Sequence, residues 1–491
     1  MARGGEVGKL KHMSVHFIFL AASFVLQIGA ILRAIMVEGR DPYARLAWVM
    51  TLLMLPLLGV VAYAMFGEPW VSRRFRRKAN KTFRQLERLS IVNRAEVSVE
   101  RLPQYFVGAL RVCEALAKTT ATDHNTVQLI RDSNTTIDLL VADISAAQES
   151  VHISFYIWLI DTNGLKVVEA VCVAARRGIT CRITADAIGS RTLIHSAHWQ
   201  RMLDAGAKLC ASLSAPKGLA SIEAHRLDLR NHRKIVVIDN FITYCGSQNC
   251  ADPEFLIKAH FAPWVDIMLR LTGAVAIQNQ LIFAAAWTVE TGEDLSAWLD
   301  RAEPPQADGN VLAIAFGTGP LSVKGAMSDA FSSVLYAAEQ EVVISTPYFV
   351  PDPPLLAALA SCARRGVATS LILPACNDSR IVGAISRALY PQLIAAGIRV
   401  FEYRGGLLHA KTLVADGTVC LIGSANMDRR SLELNFENNI FMYSFDVCEQ
   451  IRQRQNEYYE SSVEITRSDV ESRSFLRRLN ENLLTMASAI F

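Results

Sequence analysis

One pattern of polar residues occurs twice in this chain of 491 residues, at a fixed spacing of 177. Each copy has a histidine, then a lysine, then an aspartate, followed by the string Gly-Ser-x-Asn. The paired positions are His232 and His409, Lys234 and Lys411, Asp239 and Asp416, Gly246 and Gly423, Ser247 and Ser424, and Asn249 and Asn426. Matches at one long spacing predict a duplicated domain, because self-similarity of this kind is the signature of repeated structural units.

The sequence upstream of each motif is repeated as well. ARRGITCRITAD resembles ARRGVATSLILP, and each string reads as a helix, a glycine turn and a strand. Helices that alternate with strands indicate an α/β fold. We therefore predict one α/β repeat over residues 123–305 and a second over 306–491. The first repeat has extra residues before its histidine, 212–226, which we interpret as a lid or a membrane-facing loop.

Two apolar runs near the N-terminus account for a mean hydropathy of +0.22, which is high for a soluble enzyme. They cover residues 15–36 and 44–66, and each is long enough to cross a hydrocarbon core of about 30 Å. We predict a two-helix transmembrane hairpin within residues 1–70, with Pro56 tolerated inside the second span. A buried helix pair in a soluble protein is the alternative.

Basic residues flank the predicted hairpin. Arg3, Lys9 and Lys11 precede it, and the string RRFRRKANKTFR follows it at 73–84. The positive-inside rule then places both ends of the hairpin in the cytoplasm. We predict a basic juxtamembrane linker over residues 71–122. Its charges serve either as a topology signal alone or as a contact for anionic lipid head groups, and nucleic-acid binding is a weaker interpretation.

The net charge and the cysteines exclude several other classes of protein. A formal net charge of +3 is too small for a polycation. The ten cysteines are scattered, with no Cys-x-x-Cys pair, so we interpret them as reduced core residues in a reducing compartment. A disulfide framework and a structural zinc site are both disfavoured.

The spacing within each motif places its side chains on one side of an extended segment. Residues two apart share a face of a strand, so His232 and Lys234 point together, and so do His409 and Lys411. The aspartate falls at the turn that leads to a return strand, which carries the Gly-Ser-x-Asn string back beside the histidine. The aspartate therefore shapes this turn, whatever else it does.

Two such sets suit a phosphate diester if they converge where the repeats meet. Lysines and polar hydrogens hold the non-bridging oxygens, one imidazole attacks phosphorus, and the other protonates the leaving oxygen. A metal site is disfavoured, because the partner of each histidine is a cation rather than a ligand. The alternative is that each histidine is satisfied separately in a core.

These motifs resemble those of the phospholipase D superfamily, and the wider sequence is similar to the bacterial cardiolipin synthases. The similarity extends over nearly the whole chain, through strings such as GVVAYAMFGEPW, RNHRKIVVID, PWVDIMLRLTG, STPYFVPD and GSANMDRRSLELNFE. It implies an α/β fold of duplicated phospholipase D-like domains. Each domain is a mixed β-sheet with flanking helices, and the site lies between the two about a pseudo-twofold axis.

The resemblance also implies a reaction that needs no cofactor and no metal. Two phosphatidylglycerol molecules give cardiolipin and glycerol through a phosphatidyl-histidine intermediate, with His232 as nucleophile and His409 as acid and base by analogy alone. The implied catalytic set is His232, Lys234, Asp239, His409, Lys411 and Asp416. The implied phosphate-binding set is Ser247, Asn249, Ser424 and Asn426. Asp266 and Glu437 are candidates to orient the imidazoles, with a surface acid or a structural ion pair as the alternative for each.

The expected partners are phospholipids and the lipid bilayer, without nucleic acid. The expected location is the bacterial cytoplasmic (inner) membrane, with a multi-pass anchor and the catalytic domain in the cytoplasm. Two other functions stay open. One is a phospholipase D-type hydrolase or a phosphatidyl-transferase with another donor or acceptor lipid. The other is a catalytically silent, membrane-anchored lipid-binding protein.

Overall fold

The computed structural model describes residues 3–38, 40, 42–68, 71–89, 101–214, 228–300 and 307–488. Most of the insert predicted before His232 lies outside these residues. The chain divides into two compact units, one formed by residues 1–70 and 479–491 and the other by residues 71–478. The predicted domain boundaries stay predictions.

The N-terminal unit begins with one long apolar helix. Helix α1 covers Arg3–Met36, and its part from His16 to Met36 is long and apolar enough to cross a membrane. The second predicted span, 44–66, is divided into α2 (Pro42–Met54) and α3 (Pro56–Phe66), of 13 and 11 residues. The division falls at Pro56, which has no N–H to donate and takes the first position of α3 instead. A continuous second helix is therefore not present.

The predicted linker, residues 71–122, is partly folded. Helix α4 covers Arg73–Leu86, and its first turn is capped by the Ser72 hydroxyl, which accepts from the N–H of Phe75 at 3.1 Å. Helix α5 covers Val107–Ala117 after a short 3-10 turn at Gln104–Phe106. Buried residues of α5, including Leu110 and Cys113, belong to a core of the second repeat. The linker therefore contributes to the core of the larger unit, residues 71–478, rather than only tethering it.

The strands of the two halves are arranged in the same chain order. The first half has β1 (Thr122–Leu129), β2 (Ser150–Phe155), β3 (Thr180–Asp186), β4 (Lys208–Ser212), β5 (Ile235–Ile238), β6 (Ile242–Gly246), β7 (Trp264–Val265) and β8 (Met268–Thr272). The second half has β9 (Val311–Thr318), β10 (Glu341–Ser345), β11 (Phe349–Val350), β12 (Ala368–Pro374), β13 (Arg399–Tyr403), β14 (Leu407–Leu408), β15 (Thr412–Ala415), β16 (Val419–Gly423), β17 (Met427–Asp428), β18 (Glu437–Tyr443) and β19 (Ser462–Ile465).

Among the described residues, fifteen of these strands form one mixed sheet in the order β19-β13-β12-β10-β15-β16-β18-β9-β1-β8-β6-β5-β2-β3-β4. Strands β1 and β9 join the halves as an antiparallel pair, and the order outward from this pair is equivalent on both sides. Parallel pairs occur at β2–β3–β4 and β10–β12–β13, and the strands nearer the centre pair antiparallel. The predicted α/β fold with a mixed sheet is confirmed, with both halves sharing a single sheet.

Helices cover both faces of this sheet. The remaining helices are α6 (Ser133–Ala146), α7 (Thr162–Arg176), α8 (Arg191–Ile194), α9 (Ala197–Asp204), α10 (Val275–Thr291), α11 (Ser296–Leu299), α12 (Ala326–Ala337), α13 (Pro353–Arg364), α14 (Arg380–Ala395), α15 (Phe445–Glu460), α16 (Arg467–Glu471) and α17 (Phe475–Ser488). One core packs α6 and α7 on β2 and β3, and its counterpart packs α12 and α13 on β10 and β12. On the other face, α10 covers the first half and α15 the second.

The cysteines fit the interpretation as core residues at most positions. Eight are buried, Cys210 is half-buried and Cys376 is exposed, and all ten are free thiols. Burial raises the pKa of thiols such as those of Cys113 and Cys245, so these groups stay protonated and behave as small apolar side chains.

Candidate active site

The two motif histidines lie on extended segments just before β5 and β15, and each segment is held by the opposite repeat. The main-chain N–H of His232 donates to the carbonyl of Phe436 at 2.9 Å. The N–H of His409 donates to the carbonyl of Val265 at 2.8 Å. Main-chain bonds of this kind fix both segments at the seam between the repeats, so the two halves of the predicted site come together.

Two buried carboxylates hold the imidazoles. Each carboxylate comes from the repeat opposite to that of its histidine. Glu437 of the second repeat contacts Nδ1 of His232 through Oε2 at 2.8 Å. Asp266 of the first repeat contacts Nδ1 of His409 through Oδ1 at 2.6 Å. A carboxylate at Nδ1 accepts the ring proton there and leaves Nε2 with its lone pair, which is the arrangement that a nucleophile or a base requires.

The two motif serines support these carboxylates. Ser247 donates to Oδ1 of Asp266 at 2.5 Å, and Ser424 donates to Oε2 of Glu437. Each hydroxyl also accepts a main-chain N–H at 3.0 Å, Ser247 from Ile267 and Ser424 from Asn438. Because the hydroxyl hydrogens are already used, the geometry favours a positioning task for the serines. Their predicted contact with phosphate stays a prediction.

The two lysines bring positive charge to the same place. Nζ of Lys234 donates to the carbonyl of His232 at 2.8 Å, and Nζ of Lys411 donates to that of His409 at 2.7 Å. Burial lowers the pKa of Lys234 to about 8 and that of Lys411 to about 7, although the nearby carboxylates act to raise both pKa values. An ammonium has three hydrogens, so each lysine keeps donors for a bound anion.

The two motif asparagines are buried, and each contacts a residue of its own repeat. Oδ1 of Asn249 accepts the N–H of Ile157 at 3.2 Å. Nδ2 of Asn426 donates to the hydroxyl of Ser431 at 3.1 Å, and its Oδ1 has no partner within the described part of the chain. Their predicted contact with phosphate stays a prediction.

The motif aspartates lie at the turns, away from the two histidines, and their predicted catalytic role stays a prediction. Asp239 accepts the N–H groups of Gln148, Glu149 and Ser150 at 2.8 Å. Asp416 does the same for residues 339–341 at 2.8–3.0 Å. Each follows its strand at the end away from the histidine, about 16 Å along an extended chain from the lysine. Their task is to tie the turn to the loop that precedes β2 or β10.

Burial makes both imidazoles neutral at pH 7. It lowers the pKa of His232 to about 4 despite the raising effect of Glu437, and Lys234 contributes to the lowering. The pKa of His409 is also lowered to about 4, by burial and by Lys411. Burial alone would raise the pKa of Asp266 and Glu437, but the neighbouring histidines and lysines hold both below the ordinary range. The carboxylates are therefore ionised.

Aromatic rings cover the two imidazoles. The ring of Tyr156 lies 4.9 Å from that of His232, and the ring of Trp264 lies 4.7 Å from that of His409. Lys234 also lies over Tyr156, with Nζ 5.6 Å from the ring centre. The role of Trp264 was missed by the sequence interpretation, although its position two residues before Asp266 is a usable signal, because such residues share a face.

One further residue was missed because its neighbours in the sequence give no indication of it. Asn438 accepts the N–H of Lys234 through Oδ1 at 3.0 Å and so fixes the lysine segment from the opposite repeat. Within the described ranges, no group of three or more histidine, cysteine, aspartate or glutamate side chains is arranged to hold a metal ion. The polar groups at the seam are instead arranged as two matched sets of histidine, lysine, serine and carboxylate.

Comparison with known proteins gives matches over most of the chain. The family model "Cardiolipin synthase, PLD-like domain" matches residues 140–260 and 332–459, and the model "Phospholipase_D-nuclease N-terminal" matches 25–68. Cardiolipin synthase A of Citrobacter koseri is 34% identical over 437 residues, which cover 86% of this chain and 87% of that protein. Cardiolipin synthase A of Edwardsiella ictaluri is 34% identical, over 84% of this chain and 85% of that protein.

A solved structure gives the same fold at low identity. The phosphatidylserine synthase of Haemophilus influenzae Rd KW20 superposes with a TM-score of 0.56 and 12% identity, over 77% of this chain and 99% of that one. At this identity, the likeness concerns the fold alone. It agrees with the duplicated mixed sheet described above.

Proposed function

Since the chain belongs to the cardiolipin synthase family of phospholipase D-like proteins, we propose that it is a phosphatidyl-transferase that makes cardiolipin. It joins two phosphatidylglycerol molecules and releases glycerol. The observation that carries this function is the crossed pair of histidines, each held at Nδ1 by a carboxylate of the other repeat. Two such groups at one seam supply a nucleophile and an acid for the same phosphate diester.

In the first step, Nε2 of His232 attacks the phosphorus of one phosphatidylglycerol. A phosphorus–nitrogen bond forms, the bond from phosphorus to the glycerol oxygen breaks, and His409 gives that oxygen its proton. Lys234 and Lys411 hold the non-bridging oxygens, whose charge grows in the transition state. The products of this step are free glycerol and a phosphatidyl-histidine.

In the second step, His409 removes the proton from a glycerol hydroxyl of another phosphatidylglycerol. The resulting oxygen attacks phosphorus, the bond to His232 breaks, and cardiolipin leaves. The assignment of His232 as the nucleophile is by analogy, and the opposite assignment uses the same geometry. Buried Glu437 and Asp266 stabilise whichever imidazole becomes cationic during the cycle.

Binding of the substrate favours uptake of a proton from solvent by the histidine that serves as the acid. Both imidazoles are neutral without ligand, because burial and the lysines disfavour the imidazolium form. A phosphate diester brings one negative charge to the lysines and offsets their effect. We therefore expect the pKa of one histidine to rise when the lipid binds, so that it enters the reaction as an acid.

The proposed location is the bacterial cytoplasmic membrane. The apolar part of α1 and the largely exposed apolar side chains of α2 and α3 support a membrane hairpin, in which two shorter helices replace a second continuous one. The basic helix α4 follows and supports a cytoplasmic position for the catalytic unit. Phospholipids and the bilayer are then the partners.

Exposed apolar residues near one histidine support a lipid as the diester. The 3-10 segment Leu256–Phe261 precedes Trp264, and Leu256 and Ile257 are 72% and 59% exposed. Side chains of this kind in a loop beside a site suit the interface of a bilayer, where apolar groups leave water. A water-soluble diester substrate would not account for exposed apolar side chains beside the site.

The experiment that tests the function uses the purified full chain in phosphatidylglycerol vesicles, with cardiolipin, phosphatidic acid and glycerol measured together. We expect cardiolipin and glycerol in equal amounts. Phosphatidic acid as the only lipid product would overturn the proposal in favour of a hydrolase. No turnover by folded protein would indicate a lipid-binding protein.

Substitution of each histidine tests the two-histidine mechanism. We expect His232→Ala and His409→Ala each to lower cardiolipin formation by at least about 100-fold, the lower range for loss of a positioned acid or base. The matched control is His195→Ala, since His195 is exposed and lies outside the site. Activity close to that of the parent protein in either site variant would contradict the mechanism.

A further inference from the structure

A separate cavity lies within the catalytic unit, on the other side of the segment that carries His232. Its volume is about 480 Å³, which is within the range of small-molecule sites. Helices α4 and α10 line it, together with the end of β9 and residues 319–323. The motif histidines and lysines are not among the described residues of its wall.

Alternation along one extended segment separates this cavity from the active site. His232 and Lys234 face the seam between the repeats, whereas Asn231 and Arg233 line the cavity. Successive side chains of an extended chain point to opposite sides. The main chain of residues 231–234 therefore lies between the cavity and the catalytic imidazole, and a molecule in the cavity does not replace the substrate.

Arg233 is a buried cation with unused donors. Its side chain is 9% exposed, its Nε donates to the carbonyl of Glu437 at 3.3 Å, and its guanidinium lies 5.1 Å from the ring centre of Phe436. Within the described residues, it takes part in no ion pair and its two terminal nitrogens have no acceptor. Burial lowers the pKa of this guanidinium to about 10, with Glu437 opposing the shift. The nearby Glu437 carboxylate supplies part of its counter-charge, and the terminal nitrogens have donors left for an anion in the cavity.

The rest of the wall is mainly apolar. Phe75 and Phe83 come from α4, Leu281 and Ile282 from α10, and Phe316 from β9. Phe83 is partly exposed, so it lies nearer to solvent than Arg233 does. The cavity thus has the guanidinium of Arg233 at its buried end and an apolar wall that leads from there toward solvent.

Two acidic residues also line the cavity, Glu87 and Glu290, and among the described residues neither forms an ion pair with Arg233. The carboxylate of Glu290 accepts the N–H of Leu213 at 3.0 Å, and burial raises its pKa. Thr318 lines the same wall, and its hydroxyl has no partner among the described residues. Arg84 and Lys118 also line the wall but are more exposed, so Arg233 is the buried cation of this wall.

We propose that this cavity binds a single-chain anionic amphiphile, with its oxyanion on Arg233 and its apolar chain between α4 and α10. The volume suits one chain rather than a whole two-chain phospholipid. A fatty acid carboxylate and the phosphate of a lysophospholipid share this chemistry. Both offer two oxygens to the planar fork of an arginine.

The test is photolabelling of the full chain in phosphatidylcholine nanodiscs. Three diazirine probes of equal chain length are used, a fatty acid, a lysophosphatidate and the neutral fatty alcohol. We expect at least one acid to label peptides of α10 around Leu281 and of α4 around Phe75, at least about fivefold more than the alcohol does. The acid that labels identifies the source of the oxyanion. Equal labelling by acid and alcohol, or none on these peptides, overturns the proposal.

Three variants make the test specific. Arg233→Gln removes the preference for acid over alcohol. Ala286→Phe places a ring in the apolar path and lowers labelling by all probes, while cardiolipin formation persists. Arg84→Gln is the control, because Arg84 is an exposed arginine of the same wall and its loss leaves the preference unchanged. If Arg233→Gln does not fold, Ala286→Phe decides alone. Persistent labelling of the same peptides in Ala286→Phe contradicts the assignment.

Discussion

At the scale of single residues, the site depends on polar groups that one repeat contributes to the histidine of the other. His232 is positioned by Glu437 and by Ser424 behind it, and all three are buried. His409 is positioned in the same way by Asp266 and Ser247. Because each set takes members from both repeats, neither repeat contains a complete histidine site of its own.

The buried neutral histidines predict a loss of stability in acid. The folded pKa of His232 and of His409 is about 4, below the ordinary value of 6.5, so the unfolded chain binds protons more readily. This contribution is complete above pH 6.5 and is lost as the pH falls toward 4. At about 1.4 kcal/mol per pKa unit, each histidine accounts for about 3 kcal/mol of unfolding free energy.

Thermal unfolding in detergent micelles at several pH values between 7 and 4 measures this effect. We expect the melting temperature to fall through this range, and to fall less steeply in the double variant His232→Gln/His409→Gln. His195→Gln, at an exposed position, is the matched control and should leave the slope unchanged. An identical slope in the double variant and the parent would show that other groups cause the acid sensitivity.

At the scale of elements, each motif is a strand pair. The histidine and the lysine lie at one end of the pair, and the aspartate closes the turn at the other end. The turns after β5 and β15 place Asp239 and Asp416 in the left-handed region, both with φ of 51°. Aspartate and asparagine tolerate this conformation better than most residues. Their carboxylates close the turn onto the start of β2 or β10 and so fix the register of the strands that carry the histidines.

Replacement of the turn aspartates is expected to affect stability rather than chemistry. Asp239→Ala or Asp416→Ala leaves three N–H groups without an acceptor, at a cost of about 1–3 kcal/mol of unfolding free energy. We expect a lower melting temperature, with cardiolipin formation retained at temperatures where the variant is folded. Asp→Asn at the same position keeps an acceptor and the backbone preference, and should lose less. Loss of turnover without loss of stability would support a catalytic role.

The segment before β7 predicts a second effect at this scale. Replacing both Leu256 and Ile257 by glutamate puts charges where we expect contact with lipid, and repulsion from an anionic bilayer should lower turnover on vesicles several-fold. Activity on a water-soluble short-chain phosphatidylglycerol should change little. Phe445→Glu is the control, because Phe445 is 65% exposed and follows β18 at the end away from Glu437. Equal losses on both substrates would contradict contact with the bilayer.

At the scale of the whole molecule, duplication produces one sheet rather than two separate domains. Strands β1 and β9 pair at its centre, so the seam between the repeats is also the centre of the sheet. A shared sheet fixes the distance between the two histidine segments more firmly than two domains joined by a linker. The N-terminal helices form a separate compact unit with its own small core around Trp48, Leu52 and Tyr63.

The proposed topology predicts which parts of the chain face the outside of the cell. Glu38 lies between α1 and α2, in the predicted outer loop. We expect Glu38→Cys to react with a membrane-impermeant maleimide in intact cells, because the proposed topology places both ends of the hairpin in the cytoplasm. Native Cys376 is exposed on the catalytic unit and serves as the internal control, reacting only after permeabilisation. Labelling of Cys376 in intact cells would reverse the topology.

The sequence by itself determined the duplication, the α/β class and the paired histidines and lysines. These follow from local rules, because the period of a strand and a constant spacing are visible in one dimension. The strand period also placed Asp239 and Asp416 at the turns, whereas only the family resemblance put them in the catalytic set. The division at Pro56 was underestimated, since a proline is compatible with a continuous span or with two helices.

Only the tertiary structure decided which carboxylate serves which histidine. Glu437 follows His409 in the sequence, yet it contacts His232, which is 205 residues earlier in the chain. The physical reason is that the site forms where two repeats meet, so its nearest groups in space come from opposite halves. The cavity at Arg233 was hidden for the same reason, because its walls come from α4, α10 and β9, which are far apart in the chain.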